Sequence, residues 1–225
     1  MENLKKKKVS RKQRETNLKE QIIIEAAEKL FLSKGYEDTT MDQIATESEF
    51  SKGTLYNYFN SKDELYLAIG VKAYEIIIDY TNNFIEKKEP GVEQLKAVGY
   101  AYYEFIKNHP DYAHILHDIA IKLPQNAEKP QDKLTEIEKK YLTISENYGE
   151  LFRDVIINAI KTKSIRSDKD PFLIGFTLFM MTSGIMKELE QHRNTLETMK
   201  FDGDDIIEFV FEMIAAGLKP RDKEK

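Results

Sequence analysis

At 225 residues the chain is long enough to bury a full core as one or two domains, and its 41% hydrophobic and 32% charged content is that of a soluble globular protein. It has no cysteine, which excludes a disulfide framework, a thiolate nucleophile and any Cys-ligated zinc or iron–sulfur centre. The net charge of −5 argues against a nucleic-acid partner only as an average, because residues 1–20 hold eight Lys or Arg (Lys5, Lys6, Lys7, Lys8, Arg11, Lys12, Arg14 and Lys19) against three Glu.

A basic arm on an acidic body suits nucleic acid or an anionic membrane, and a solvated tail has the same composition. No apolar run follows the basic start, so no secretory leader is expected. The longest apolar stretch, Phe172 to Met186, is shorter than the ~20 residues of a membrane span. The expected location is the cytoplasm, with no membrane partner.

In chain order every segment reads helical. Ile23, Ala27, Leu30 and Phe31 form the stripe of a first helix, stopped at Gly35. Thr40 and Gln43 of "TMDQ" make a capping box for a second helix with Ile44 and Ala45 inward. Ser51 caps a short third helix with Leu55 and Phe59 inward. Ser61 and Glu64 of "SKDE" form another capping box, opening a long fourth helix with Leu65, Ile69, Ile76 and Tyr80 in register. Pro90-Gly91 breaks that helix. A fifth runs to about His109 and a sixth from Pro110 to Leu123. A polar loop spans 124–132, and further helices cover roughly 133–163, 171–191 and 204–218, before a frayed tail. The expected fold is all-α with about nine helices.

The second and third helices, joined around Ser48 to Ser51, have helix-turn-helix spacing. With Leu55 and Phe59 turned inward, the outer face of the third helix presents Lys52, Gly53, Thr54, Tyr56, Asn57 and Tyr58. All but the glycine carry side-chain donors that can reach a phosphate or a base edge. Lys52 and Lys62 each follow a Ser N-cap, where the helix dipole disfavours a cation unless an anion docks there. Both starts are therefore expected to seat phosphates; two solvated lysines are the competing reading.

The stretch from Ile22 to Ile69, with "AAEKLF", "SKGTLYNYF" and "SKDELY" at matching spacing, resembles the N-terminal domain of the TetR (tetracycline-repressor) family of transcriptional regulators. The resemblance implies an all-α homodimer whose third helix enters the major groove of a palindromic DNA operator, and a divergent C-terminal domain that dimerises and binds an inducer. By position it assigns Thr40, Ser51, Lys52, Gly53, Thr54, Tyr56, Tyr58 and Lys62 to DNA contact. One position departs from the pattern: Glu49 stands where the family commonly has glycine, so a strained or reshaped turn is expected there.

The implied division is a basic arm (1–20), a DNA-binding domain (21–66) and a ligand-binding and dimerisation domain (67–225). In the last, Tyr102, Tyr103, Phe105, His109, His114, His117, Phe152, Phe176, Phe179 and Met180 are candidate linings of a pocket for an apolar or amphipathic effector. For any one of them, a place in an aromatic core is the competing reading. His114 and His117 have a spacing that can ligate metal, but no third ligand is evident, so no metal and no cofactor are expected. No nucleophile triad, phosphate loop or carboxylate pair is discernible, so no catalytic residue is expected.

The last two long helices are apolar over a wide arc. Phe179, Ser183, Gly184, Ile206, Phe209, Val210, Met213 and Ala216 are candidates for a homodimer interface of four helices. The expectation is thus a ligand-responsive DNA-binding regulator, most simply a repressor released by its effector. The competing readings are a helical small-molecule carrier or enzyme with an incidental helix-turn-helix, and an adaptor that binds protein through the aromatic face.

Overall fold

The structure, a computed structural model, describes residues 10–123 and 129–220, the side chain of Arg193 excepted. Lys5, Lys6, Lys7 and Lys8 of the basic arm, residues 124–128 of the expected loop and the end of the tail (221–225) lie outside the described residues. Among the described residues there are ten α-helices and no strand. They are α1 (Arg11–Lys34), α2 (Met41–Glu47), α3 (Lys52–Tyr56), α4 (Lys62–Ile85), α5 (Val92–Asn108), α6 (Pro110–Lys122), α7 (Glu136–Lys161), α8 (Pro171–Gln191), α9 (Arg193–Met199) and α10 (Gly203–Gly217).

Two differences from the sequence reading have local causes. Helix α1 begins at Arg11, well before its apolar stripe, because the Ser10 hydroxyl accepts from the Gln13 N–H at 3.1 Å and starts the helix there. Helix α9 was not expected, since "RNTLETM" has no apolar stripe to announce it. Helix α8 spans the 21 residues expected; by length and composition it could cross a membrane, although its apolar run is shorter. It nevertheless places Ile174, Gly175, Leu178 and Met186 in the protein core.

Contacts divide the chain into two compact units. The first holds the described residues up to Lys72 together with His114–Tyr141; the second holds Ala73–Ala113 and the described residues from Leu142 onward. This division is by compactness and differs from the expected boundary after residue 66, since parts of α6 and α7 join the first unit.

In the first unit, Ile23, Ala26, Ala27, Leu30 and Phe31 of α1 are buried with Ile44 and Ala45 of α2, Leu55 of α3, Phe59, and Leu65 and Ile69 of α4. Five residues cannot hold a helix alone, because nucleation fixes several residues before any hydrogen bond rewards it. Leu55 and Phe59 are 0% and 2% exposed, and burying each contributes roughly 1.5–3 kcal/mol. Phe31, Tyr36 and Tyr66 form an aromatic cluster, and Lys72 of α4 pairs with Glu28 of α1 at 2.8 Å. Burial, together with hydrogen bonding to Asp63, pushes the Tyr36 phenol above its ordinary range.

The second unit has two clusters. Leu95, Val98, Val155, Ile156, Ala159, Ile165, Ile174 and Leu178 join α5, α7 and α8. Met186, Ile207, Val210 and Phe211 join α8 to α10. Gly99 decides how closely α5 and α10 approach: a β-carbon there would meet Phe211 Cζ at 2.6 Å and Cε1 at 2.9 Å. That ring is 4% exposed and edge-on to Tyr100, so it can give way only by shifting within the core. Gly99→Ala should therefore lower stability by about 1–3 kcal/mol, outweighing the helix-propensity gain of up to ~1 kcal/mol. A urea melt would show this as an earlier midpoint at unchanged slope; a later midpoint would mean that the ring yields without strain.

Candidate nucleic-acid interface

Local hydrogen bonds build the α2–turn–α3 face. Thr40 caps α2: its hydroxyl accepts from the Gln43 N–H (3.3 Å) while Gln43 Oε1 accepts from the Thr40 N–H (2.9 Å). At the other end Glu49 lies at φ +58°, in the left-handed region. There its N–H donates to Thr46 O and that of Phe50 donates to Ala45 O, the paired bonds of a Schellman turn. The turn is strained rather than reshaped: a glutamate adopts the conformation that glycine takes freely. Lys163 and Lys200 end α7 and α9 in the same way.

Ser51 then caps α3, accepting from the Thr54 N–H at 3.1 Å. With Leu55 fully buried, Lys52, Gly53, Tyr56 and Asn57 are left exposed and Thr54 and Tyr58 half-buried. Eight of the nine expected DNA-facing residues thus lie together between Thr40 and Tyr58. The Lys52 ammonium meets Asp42 Oδ1 at 2.6 Å, and that hydrogen bond and charge raise its pKa, so it stays protonated. Both partners are more than half exposed, so solvent screens the pair and a phosphate can replace the carboxylate.

Lys62, the ninth, does something else. Its ammonium donates to the carbonyls of Tyr36 (2.7 Å) and Glu37 (3.4 Å) and lies 4.1 Å from the centre of the Tyr36 ring. It ties α4 to the α1–α2 connection and has one N–H left. The start of α4 is also a poor anion seat, contrary to expectation, because Asp63 and Glu64 occupy its first turn. The expected capping box is altered as well. Ser61 accepts from the Glu64 N–H (3.3 Å), but the Glu64 carboxylate reaches back to the backbone and side-chain N–H groups of Asn60 (2.7 and 3.0 Å).

Of the ten expected effector-lining residues, three gather around a cavity of about 70 Å³ in the second unit: Tyr102, Phe152 and Phe179. The others do not join them. Phe105 is fully buried in the core, where its ring faces His109. Tyr103 donates to Asp204 Oδ1 at 2.6 Å beside Lys107. His109 packs among Tyr80, Phe105 and Tyr112. His114 and His117 are exposed on the part of α6 that belongs to the first unit, His114 being 3.9 Å from Asp118. No group of three metal-ligating side chains gathers among the described residues. Phe176 and Met180 are exposed on the outer side of α8.

The cavity wall that was missed comes from Leu95, Val98 and Gly99, which share the α5 face of Tyr102, with Tyr148 of α7, Leu178 and Thr182 of α8, and Phe211 and Ile214 of α10. The polar residues among its lining are Tyr102, Tyr148, Thr182 and Lys96; the Thr182 hydroxyl donates to the Leu178 carbonyl at 2.8 Å, and the Lys96 ammonium pairs with Glu93 at 3.5 Å. Burial pushes the Tyr102 phenol up to about 12 and raises that of Tyr148 as well.

The expected interface residues fare unevenly. Phe179, Phe209 and Met213 are 49%, 60% and 52% exposed, alongside Phe172, Leu173, Phe176, Met180 and Met181. Gly184 and Ala216 are exposed, Ser183 and Ile206 half-buried. Val210 is instead part of the chain's own core, where it packs with Met186, Ile207 and Phe211. Between α8 and α10 runs an open groove of about 520 Å³ bordered by Leu173, Met181 and Met213.

Residues 23–69 match the profile of bacterial regulatory proteins of the tetR family. An uncharacterised HTH-type transcriptional regulator of Bacillus subtilis (strain 168), YhgD, is 27% identical over 180 residues, covering 80% of this chain and 88% of that protein. The biofilm operon icaADBC negative transcriptional regulator IcaR of Staphylococcus aureus (strain Newman) is 40% identical over 63 residues, 28% of this chain and 32% of that one. The crystal structure of the regulator FadR from Bacillus subtilis in complex with stearoyl-CoA superposes with a TM-score of 0.62 at 19% identity, covering 88% of this chain and 98% of that one. At that identity the shared property is the fold.

The Glu49 turn yields a measurable consequence. A non-glycine residue in the left-handed region costs roughly 1–2 kcal/mol, partly offset by the extra freedom glycine has when unfolded. Glu49→Gly should therefore stabilise the protein by about 0.5–1 kcal/mol in a urea melt, and Glu49→Ala, which keeps the β-carbon, by no more than a few tenths. Equal midpoints for Glu49→Gly and the parent would show the turn to be unstrained.

Proposed function

The chain belongs to the TetR family of bacterial transcriptional regulators, and we propose that it works as a repressor which a small-molecule effector releases from a palindromic operator. The observation that carries this reading is the division of α3: Leu55 is buried while Lys52, Thr54, Tyr56, Asn57 and Tyr58 present donors outward. In this reading those side chains, with Thr40, Ser51 and the open backbone at Gly53, meet phosphates and base edges in the major groove. Lys62 holds the connection behind them and has one remaining N–H for the backbone.

The repressor direction draws on IcaR, a negative regulator that resembles this chain over 63 residues. The effector site in this reading is the cavity between α5, α7, α8 and α10. Its wall is apolar apart from three hydroxyls and one lysine, which suits a ligand with an apolar body and one polar end. At about 70 Å³ the cavity holds only a few water molecules, so the ligand enters by displacing side chains such as Phe179, whose ring lies 6.4 Å from that of Tyr102. FadR, solved with stearoyl-CoA, is an example of this fold holding an amphipath.

The partner for the exposed α8–α10 face is a second copy of the chain, set so that two α3 helices reach successive major grooves ~34–36 Å apart. An effector that prefers another spacing lowers DNA affinity in proportion to that preference. The cytoplasm is the compartment where such a regulator meets its operator.

Selection from a random duplex pool should yield a palindromic site for this protein. On that site Tyr56→Ala should weaken binding about tenfold, the worth of one hydrogen bond to a charged group. Lys52→Ala should flatten the dependence of log affinity on log salt by about one unit per protomer. Failure to enrich any sequence, or parental affinity and slope in both variants, would overturn this assignment.

A further inference from the structure

The polar residues that line the cavity between α5, α7, α8 and α10 differ in what they have left to offer a ligand. The Thr182 hydroxyl already donates to the Leu178 carbonyl at 2.8 Å, so it can only accept. The Lys96 ammonium is taken by Glu93 at 3.5 Å, on a side chain that is 32% exposed. The Tyr148 hydroxyl has Thr81 as its partner. Tyr102 is different: its hydroxyl makes no hydrogen bond among the described residues. No enclosed side-chain oxygen or nitrogen goes unpartnered there, so this hydroxyl opens onto unfilled space. The cavity is the space that Tyr102 lines.

Burial decides the form of that hydroxyl. It pushes the Tyr102 phenol up to about 12, so the group stays protonated and donates at physiological pH. A free donor calls for an acceptor on the ligand. Charge decides which kind. Lys96 is the only Lys, Arg or His in the wall among the described residues, and it lies six positions before Tyr102. That interval is about 9 Å along the helix axis. An anion at Tyr102 would therefore be enclosed by Phe152, Leu178, Phe179 and Phe211 with no counter-ion beside it, which costs far more than one hydrogen bond returns. An uncharged oxygen meets no such penalty. The exposed Phe179 ring lies 6.4 Å from that of Tyr102, so the ring that gives way to a ligand stands beside the group that meets it.

We propose that the effector is uncharged, and that an oxygen acceptor of the ketone, ester or amide kind on its apolar body receives a hydrogen bond from the Tyr102 hydroxyl. The inference rests on the reading of this cavity as the effector site and narrows it: the polar end of the ligand bears no charge, and Lys96 keeps Glu93 as its partner. Tyr102 then sets specificity, because it tells an oxygen from a methylene where the apolar wall rewards size alone. An acid headed by Lys96 is the competing ligand.

Three probes of similar size separate these cases: acetophenone carries the oxygen, ethylbenzene lacks it, and benzoate carries the charge. Each is titrated by NMR against the full-length chain, Tyr102→Phe and Lys96→Met, with helicity by circular dichroism as the folding control. The unsubstituted chain should bind acetophenone at least about tenfold more tightly than benzoate. Tyr102→Phe should weaken acetophenone about three- to tenfold, the worth of one neutral hydrogen bond, with no comparable loss for ethylbenzene. Equal effects of Tyr102→Phe on acetophenone and ethylbenzene would reduce Tyr102 to a packing role and overturn the proposal. Benzoate bound as tightly as acetophenone, and lost in Lys96→Met, would assign an anion to the site; that overturns the uncharged ligand and leaves the cavity as the effector site. Binding of none of the three to the unsubstituted chain overturns the cavity as the effector site and this inference with it.

Discussion

Everything the α2–turn–α3 face presents to solvent depends on the burial of Leu55 and Phe59. A five-residue helix has no stability of its own, so α3 exists because these two side chains are buried in the first unit, where α3 packs on α2. The same anchoring sets which side chains are left outside. Leu55 inward forces Tyr56 outward, and the early end of α3 frees Phe59 to turn back into the core from the following turn. The aromatic crowding from Tyr56 to Phe59 is thus one anchoring ring, Phe59, preceded by the exposed Tyr56 and the half-buried Tyr58. The donors are displayed on a rigid support whose fixed geometry lowers the entropy lost on binding.

Around that support the charges are spent unequally. Lys52 is paired only with an exposed carboxylate and is free to exchange it for phosphate. Lys62, which looked equivalent because both lysines follow a serine, is drawn inward by two carbonyls and an aromatic ring. The difference lies in what stands opposite each lysine. Across from Lys62 is the end of the α1–α2 connection, a segment far away in sequence, and no local pattern reports it.

The second unit teaches a similar lesson about spacing. Its cavity is built from positions three and four apart: Leu95, Val98, Gly99 and Tyr102 on α5, Tyr148 and Phe152 on α7, and Leu178 and Thr182 on α8. Those intervals were readable, since residues so spaced share a helix face. Density of aromatic and histidine residues proved a poorer guide. It grouped Phe105, which is core, with His114 and His117, which are exposed in the other unit. Gly99 had no signal at all, because what it accommodates is a ring on α10.

The sequence by itself determined most of the helices and several of their ends. Capping at Thr40 and Ser51, the stop at Gly35 and the stripe of α1 are set by neighbours within a turn or two, where backbone propensity and side-chain hydrogen bonds decide. That Glu49 sits where glycine is common came from the family resemblance; the turn's hydrogen bonds set its left-handed conformation, and the β-carbon makes it costly. Only the tertiary structure decided that Lys62 is a tie, that Val210 belongs to the core while Phe209 and Met213 face outward, and which rings close the cavity. Each of those outcomes is settled by groups brought together from distant parts of the chain. Helix periodicity says which residues share a face, and packing alone says what that face meets.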